Sequence, residues 1–318
     1  MTQTPHKLSD LPHPERIRST KVVDGVATII ADATGLGDEE RKALEDLLRE
    51  SALKTIGVKE ARVALTASNP HRIVIAVGSG KGGVGKSTVA ANLAIALARG
   101  GKSVGLIDAD VYGPSQPTLL GSDAKPQAAG DRLIPVHAHG IKFLSLGQLV
   151  APGQALAWRG PMATGALARL LDADWGDSEY LIVDLPPGTG DVQISLIQKS
   201  RPDGAVIVST SQDLSLIDAV RAVDLFNRTQ IPLLGLIENM AGYICPHCGE
   251  ESDPFGTGGA EASAKRLHVP FLGRLPLSPA IRTASDSGSP VSLGEDSDAI
   301  AFAGIAERML KSLDTVAA

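Results

Sequence analysis

Gly80-Lys81-Gly82-Gly83-Val84-Gly85-Lys86-Ser87-Thr88 follows directly on the apolar run Ile73-Val74-Ile75-Ala76-Val77 and precedes the helical stripe Val89, Leu93, Leu97. The spacing from Gly80 to Gly85-Lys86-Ser87 fits G-x4-G-K-[ST], in which small residues let successive backbone N–H groups curl around phosphates. A chance glycine-rich turn would not sit between a buried strand and a helix. The stretch therefore predicts a nucleoside triphosphate site. Lys86 reaches the β and γ phosphates, Ser87 serves Mg²⁺, and the positive end of the following helix faces the anion.

Outward from this loop, apolar runs alternate with helical patterns: Ile73 to Val77, Val104 to Ile107, Tyr180 to Val183, Ala205 to Val208, Leu233 to Ile237 and Phe271 to Leu275. Short apolar strands separated by helices predict an α/β fold, a mainly parallel sheet flanked by helices, with ligands at the carboxyl ends of the strands. Asp108, Asp110, Asp184 and Asn239 each stand just past such a run. Asp184 suits a Walker-B carboxylate holding Mg²⁺, and the loop Leu185-Pro186-Pro187-Gly188-Thr189-Gly190-Asp191 suits a γ-phosphate sensor. Asp108 and Asp110 could orient water or support Mg²⁺, or simply cap the next element. No N-K-x-D guanine signature occurs, which favours adenine.

The chain before the loop reads as a tail over 1–21 and a small α/β domain over 22–68, with the nucleotide-binding domain over 69–318. Val22 to Ile30 is strand-like with a turn at Asp24-Gly25. Asp38, Glu39 and Glu40 open a helix with Leu44, Leu47, Leu48 and Ala52 on its apolar side and Gly57 as its stop. Ala61, Val63 and Leu65 alternate as in an edge strand. At the other end Ile305, Met309 and Leu313 keep helical spacing, with too few basic residues for a membrane-surface helix.

The 318 residues carry 30 basic and 36 acidic side chains, a net charge of −6, which disfavours nucleic acid and anionic membranes as partners. No apolar stretch nears the roughly 18 residues of a membrane span, so a cytoplasmic protein is expected. The 2 cysteines, Cys245 and Cys248, cannot build a disulfide framework. Thiolates select iron–sulfur clusters, zinc or Cu(I), and a four-thiolate cage needs two copies of this chain. A Cys-Pro-His-Cys sequence also fits a thiol–disulfide oxidoreductase, but Gly249-Glu250-Glu251-Ser252-Asp253-Pro254 is poor helix and those enzymes need a helix N-terminus. Spacing alone leaves cluster, zinc and an unliganded surface pair open.

Several motifs together resemble a known family. Lys81 to Ser87 resembles the deviant Walker A of the MinD/ParA/nitrogenase-iron-protein class. Asp108-Ala109-Asp110-Val111-Tyr112-Gly113-Pro114-Ser115, Trp158-Arg159-Gly160-Pro161, Asp184 to Asp191, and Glu238-Asn239-Met240 followed by Cys245-Pro246-His247-Cys248-Gly249 are similar to the Mrp/ApbC iron–sulfur cluster carriers. Residues 22–68 more weakly resemble the MIP18-type domain. The resemblance implies an ATP-hydrolysing homodimer that carries a cluster of the [4Fe–4S] type on Cys245 and Cys248 and passes it to apo-protein clients. It further implies that Lys81 crosses to the partner subunit's phosphate, that Asp110 helps activate water and that Asn239 contacts adenine. Ser211 departs from the family, which usually has proline there. A positioning ATPase of the MinD/ParA kind is the rival reading. A reductase like the nitrogenase iron protein is disfavoured, because its cluster cysteines lie far apart in sequence.

Overall fold

An acidic first turn and a leucine stripe are what make a short helix dock on a sheet, and the first part of the chain is built that way. The computed structural model describes residues 11–33, 36, 38–66, 72–149 and 160–317. The chain divides into two units, Met1–His71 and Arg72–Ala318. In the first, β1 (Ile17–Val23) and β2 (Val26–Asp32) form a hairpin turning at Asp24-Gly25, α1 (Asp38–Leu53) crosses over, and β3 (Glu60–Thr66) pairs parallel with β2 at the sheet edge. Leu44, Leu48 and Ala52 of α1 bury against Ala27, Ile29 and Ala31.

Three expectations are corrected here. The tail does not extend to residue 21, because β1 begins at Ile17 and Leu11 already belongs to the core. β1 has an exposed face on almost every residue, so no apolar alternation marks it. Leu47 is exposed rather than core-facing, and α1 ends at Leu53, ahead of Gly57.

In the second unit each of the six apolar runs is a strand: β4 (Ile73–Gly78), β5 (Val104–Asp108), β10 (Tyr180–Asp184), β11 (Gly204–Ser209), β12 (Leu233–Glu238) and β15 (Phe271–Arg274). Sequence reading passed over four short strands between β5 and β10. They are β6 (Gln127–Ala129) and β7 (Arg132–Ile134), which pair with each other, then β8 (Val136–Ala138) and β9 (Ile141–Ser145). The sheet order is β15-β12-β11-β4-β10-β5-β9-β8, parallel throughout except for the antiparallel edge β8.

Helices cover both faces, as strands apolar on both sides require. They are α2 (Lys86–Arg99), α3 (Gln116–Leu119), α4 (Gly160–Leu171), α5 (Asp191–Ser200), α6 (Asp213–Arg228), α7 (Gly259–Leu267), α8 (Pro279–Asp286) and α9 (Ser297–Ala317). Val89, Leu93 and Leu97 of α2 are buried, and α9 packs on α2 with Ile305, Met309 and Leu313 inside. That burial makes α9 a core helix. β4 lies between β11 and β10, so the loop after it opens at the centre of the carboxyl edge.

Candidate nucleotide and thiol site

The Gly80 loop joins β4 to α2, whose N-cap is Gly85 at φ 82°. Two glycines are required by close approach. A Cβ on Gly80 would lie 2.1 Å from the Asp218 carbonyl oxygen of α6, and one on Gly85 would lie 2.2 Å from Asn239 Nδ2. The loop borders an open cavity of about 270 Å³ lined by Lys81, Gly82, Gly83, Gly85, Lys86, Ser87 and Thr88 together with Asp110, Ser115 and Pro187. Val84 turns inward to the core. Lys81 is half-buried at the cavity, and its carbonyl accepts from Ser79 Oγ at 2.9 Å.

Parallel pairing sets Asp184 and Asp108 side by side, since they are register partners across β10 and β5. Both are fully buried. Lys86 Nζ bonds Asp184 Oδ1, lies 3.7 Å from Asp110 Oδ2 and donates to Ser87 Oγ at 3.3 Å. Asp110 Oδ1 accepts from the backbone N–H groups of Tyr112 (3.0 Å) and Gly113 (3.3 Å). Asp108 accepts from Ser145 Oγ at 2.9 Å and from the backbone of Gln116 and Asp110. Burial, reinforced by the charge of Asp184, nonetheless pushes its carboxyl up to about 7.

Gln116 was not anticipated. Its Nε2 donates to Ser87 O at 3.0 Å and to Asp184 Oδ2 at 2.9 Å, while its Oε1 is buried without a partner among the described residues. One polar residue on a single helical turn leaves no periodic signal. A hydroxyl and hard carboxylate oxygens beside an unsatisfied buried acceptor suit Mg²⁺, which takes oxygen ligands and keeps waters. Asp191, the last residue of the loop read as a γ-phosphate sensor, is exposed and is the first residue of α5, where its charge suits the helix N-terminus.

Asn239 directly follows β12 and donates from Nδ2 to Val84 O at 2.8 Å. Its amide nitrogen is thus engaged with the phosphate loop. Ser211, the departure from proline, donates its hydroxyl to buried Glu238, whose other oxygen takes Arg274 Nε at 2.8 Å. Proline would have no group to offer there.

From Asn239 the chain runs into a hairpin of β13 (Tyr243–Ile244) and β14 (Glu251–Ser252) that carries both cysteines. Cys245 N bonds Glu250 O at 2.9 Å and Gly249 N bonds Cys245 O at 2.8 Å, closing a tight turn with Gly249 at φ 75°. Cys245 is half-buried and Cys248 exposed. The backbone N–H groups of Cys248 and His247, with the Cys248 side chain, hold the Cys245 thiol below its ordinary value. The next helix begins only at Gly259, so neither thiol sits at the helix N-terminus an oxidoreductase needs. Among the described residues no group of three or more His, Cys, Asp or Glu side chains gathers for a metal. Trp158 and Arg159 lie outside the described residues.

A phosphate loop whose lysine rests on a strand-end aspartate, with a Cys-x2-Cys hairpin continuing from the strand that touches the loop, narrows the comparison. Residues 71–310 match the ParA family model described as the NUBPL iron-transfer P-loop NTPase. The chain belongs to this family. It is 47% identical over 245 residues to the Arabidopsis thaliana "Iron-sulfur protein required for NADH dehydrogenase, mitochondrial", covering 76% of this chain and 78% of that protein. It is 44% identical over 250 residues to the Escherichia coli K12 "Iron-sulfur cluster carrier protein", covering 77% and 68%. Among solved structures, the ADP complex of a nucleotide-binding protein from Archaeoglobus fulgidus matches with TM-score 0.62 and 39% identity, over 70% of this chain and 89% of that one. The Pyrococcus furiosus cell division ATPase MinD, at TM-score 0.57 and 23% identity over 75% and 98%, shares the fold. No helix among the described residues is long and apolar enough to cross a membrane.

Proposed function

We propose that the protein is an ATP-dependent carrier of iron–sulfur clusters, holding a [4Fe–4S] cluster as cargo between two copies of the chain and surrendering it to apo-proteins. The observation that carries this reading is the direct continuity of the two sites. Asn239 grips the phosphate loop through Val84, and the same segment leads into the Cys245–Cys248 hairpin. A change in the loop on nucleotide binding therefore has a short path to the thiols, one hydrogen bond to Asn239 and then the chain leading to Cys245.

Each chain offers two thiolates on an open turn, and a two-fold axis through that turn completes four. A cluster held there stays exposed to a recipient. Lys86 leaves Asp184 for the β and γ phosphates of ATP, Lys81 reaches across the dimer, and Asp110, fixed by two backbone N–H groups, orients the attacking water. Ser87 and Asp184 hold Mg²⁺, which supplies charge neutralisation at the phosphates. Asn239, held beside the loop by its bond to Val84, contacts adenine in this reading. The amino-terminal unit, with its MIP18-like reading, is a candidate docking element for clients. Nucleic acid and membranes are not partners, in keeping with the net charge of −6, and the reading suits a reducing cytoplasm.

The test is anaerobic reconstitution with metal and sulfide analysis. About four iron and four sulfide per dimer are expected, and Cys245→Ala with Cys248→Ala should abolish transfer to an apo-protein while ATP binding persists. Stoichiometric zinc, or unchanged transfer by the double variant, overturns the carrier role. Co-sedimentation with liposomes or DNA in ATP would instead favour a positioning ATPase.

A further inference from the structure

The structure assigns a role to Gln116: we propose that it is a positioning residue for the Mg²⁺ of the nucleotide site, clamping Asp184 to the Ser87 backbone and offering Oε1 to the cation's water shell. The inference rests on the nucleotide-site reading and not on the cargo.

Gln116 is fully buried. Its Nε2 spans two elements that must keep a fixed separation for one cation to meet both, the start of α2 at Ser87 and the end of β10 at Asp184. Its backbone N–H reaches a third, donating to Asp108 Oδ2 at 3.0 Å. One residue thus fastens the ends of β5 and β10 to the phosphate loop. Both Nε2 contacts are to acceptors, so the carboxamide orientation is fixed by its partners. The remaining Oε1 has no donor among the described residues. A buried acceptor left unpaired carries the desolvation cost of burial without a compensating donor. Ordered water on a cation is a donor of the kind it lacks, and Mg²⁺ keeps several of its waters when protein-bound.

The clamp matters most when nucleotide arrives. Asp184 then gives up Lys86 to the phosphates and retains Gln116 as its donor. Without that amide, the carboxylate next to Asp108 would be free to rotate away from the cation. Outer-shell partners of this type typically alter metal affinity by 10–100-fold. Their effect should fall on Mg²⁺ and spare the phosphate contacts made by the loop backbone.

The experiment titrates a fluorescent ADP analogue into wild-type protein, Gln116→Met and Gln116→Leu, each with Mg²⁺ and with EDTA. The readout is the ratio of the two dissociation constants, which a general weakening of the loop would not change. Wild type should bind more tightly with Mg²⁺. In either variant that folds, the ratio should fall about tenfold while the EDTA constant stays within about twofold, as expected of an outer-shell residue. An unchanged ratio, or equal losses with and without Mg²⁺, overturns the assignment. Absence of any ADP binding by wild type would overturn the nucleotide reading itself, a distinguishable result.

Discussion

Replacing Lys86 by Met keeps the length of the side chain and removes its charge, leaving Asp184 buried without its cation. The side chains of Lys86 and Asp184 are 6% and 0% exposed, so water cannot take over the lost contact. Asp108 stands beside Asp184 in register, which adds repulsion. Removing one partner of a buried pair costs about 3–5 kcal/mol. At ~2–4 °C per kcal/mol for a domain of this size, melting of the nucleotide-free protein should fall by about 6–20 °C at pH 8. The loss should shrink near pH 5, where Asp108, its carboxyl raised to about 7 by burial and the neighbouring charge, carries a proton and no longer adds repulsion. Adding Asp184→Asn should restore most of the stability, giving a positive coupling in a double-mutant cycle. Calorimetry of the four proteins decides. A Lys86→Met protein that melts within about 2 °C of wild type at pH 8, or a double variant as unstable as the single, would refute the resting-pair argument.

Other perturbations probe the remaining parts of the site. Asp108 has its carboxyl raised from 3.8 to about 7, so the folded state keeps a proton that the unfolded chain has released. Its contribution to stability is therefore greatest below about pH 4, declines as pH climbs to about 7 and is flat above. Asp108→Asn should remove that slope in urea melts across this range. Gly80→Ala drives a Cβ to 2.1 Å from the α6 backbone, whereas the nearest atom to a Cβ on Gly82 is Pro187 Cγ at 3.9 Å. The first should lower the melting temperature and the second should leave it near wild type, a contrast thermal melts will test. In Cys248→Ser, alkylation of Cys245 should show a midpoint below the ~8.5 of a free thiol, because backbone N–H groups still face its sulfur. A midpoint at or above that value would remove the electrostatic account.

Local signals made much of the fold legible. The six apolar runs became six strands because a strand covered on both faces has no polar residues to hide, and the Gly80 loop sat after the central one. β8 and β9 escaped because their short spans sit beside a turn and one is an edge. β1 escaped because it packs too little of its surface to leave a pattern. In the site, Lys86, Asp110 and Asp184 were visible from position after strands. The Glu238–Ser211–Arg274 network was not, since it joins residues far apart in sequence that only the pairing of β12 with β11 on one side and β15 on the other brings together.

By itself, the order of residues determined that a phosphate loop would follow a buried strand and that each chain would offer two thiols, because strand periodicity, loop glycines and thiolate chemistry are local properties. Tertiary structure alone decided that Lys86 rests on Asp184, that Asp108 and Asp184 crowd one another, that Gln116 ties both to the loop and that Asn239 links the loop to the cysteine hairpin. These contacts arise from parallel register and from the depth of burial, which are set by the packed sheet as a whole and not by any one segment.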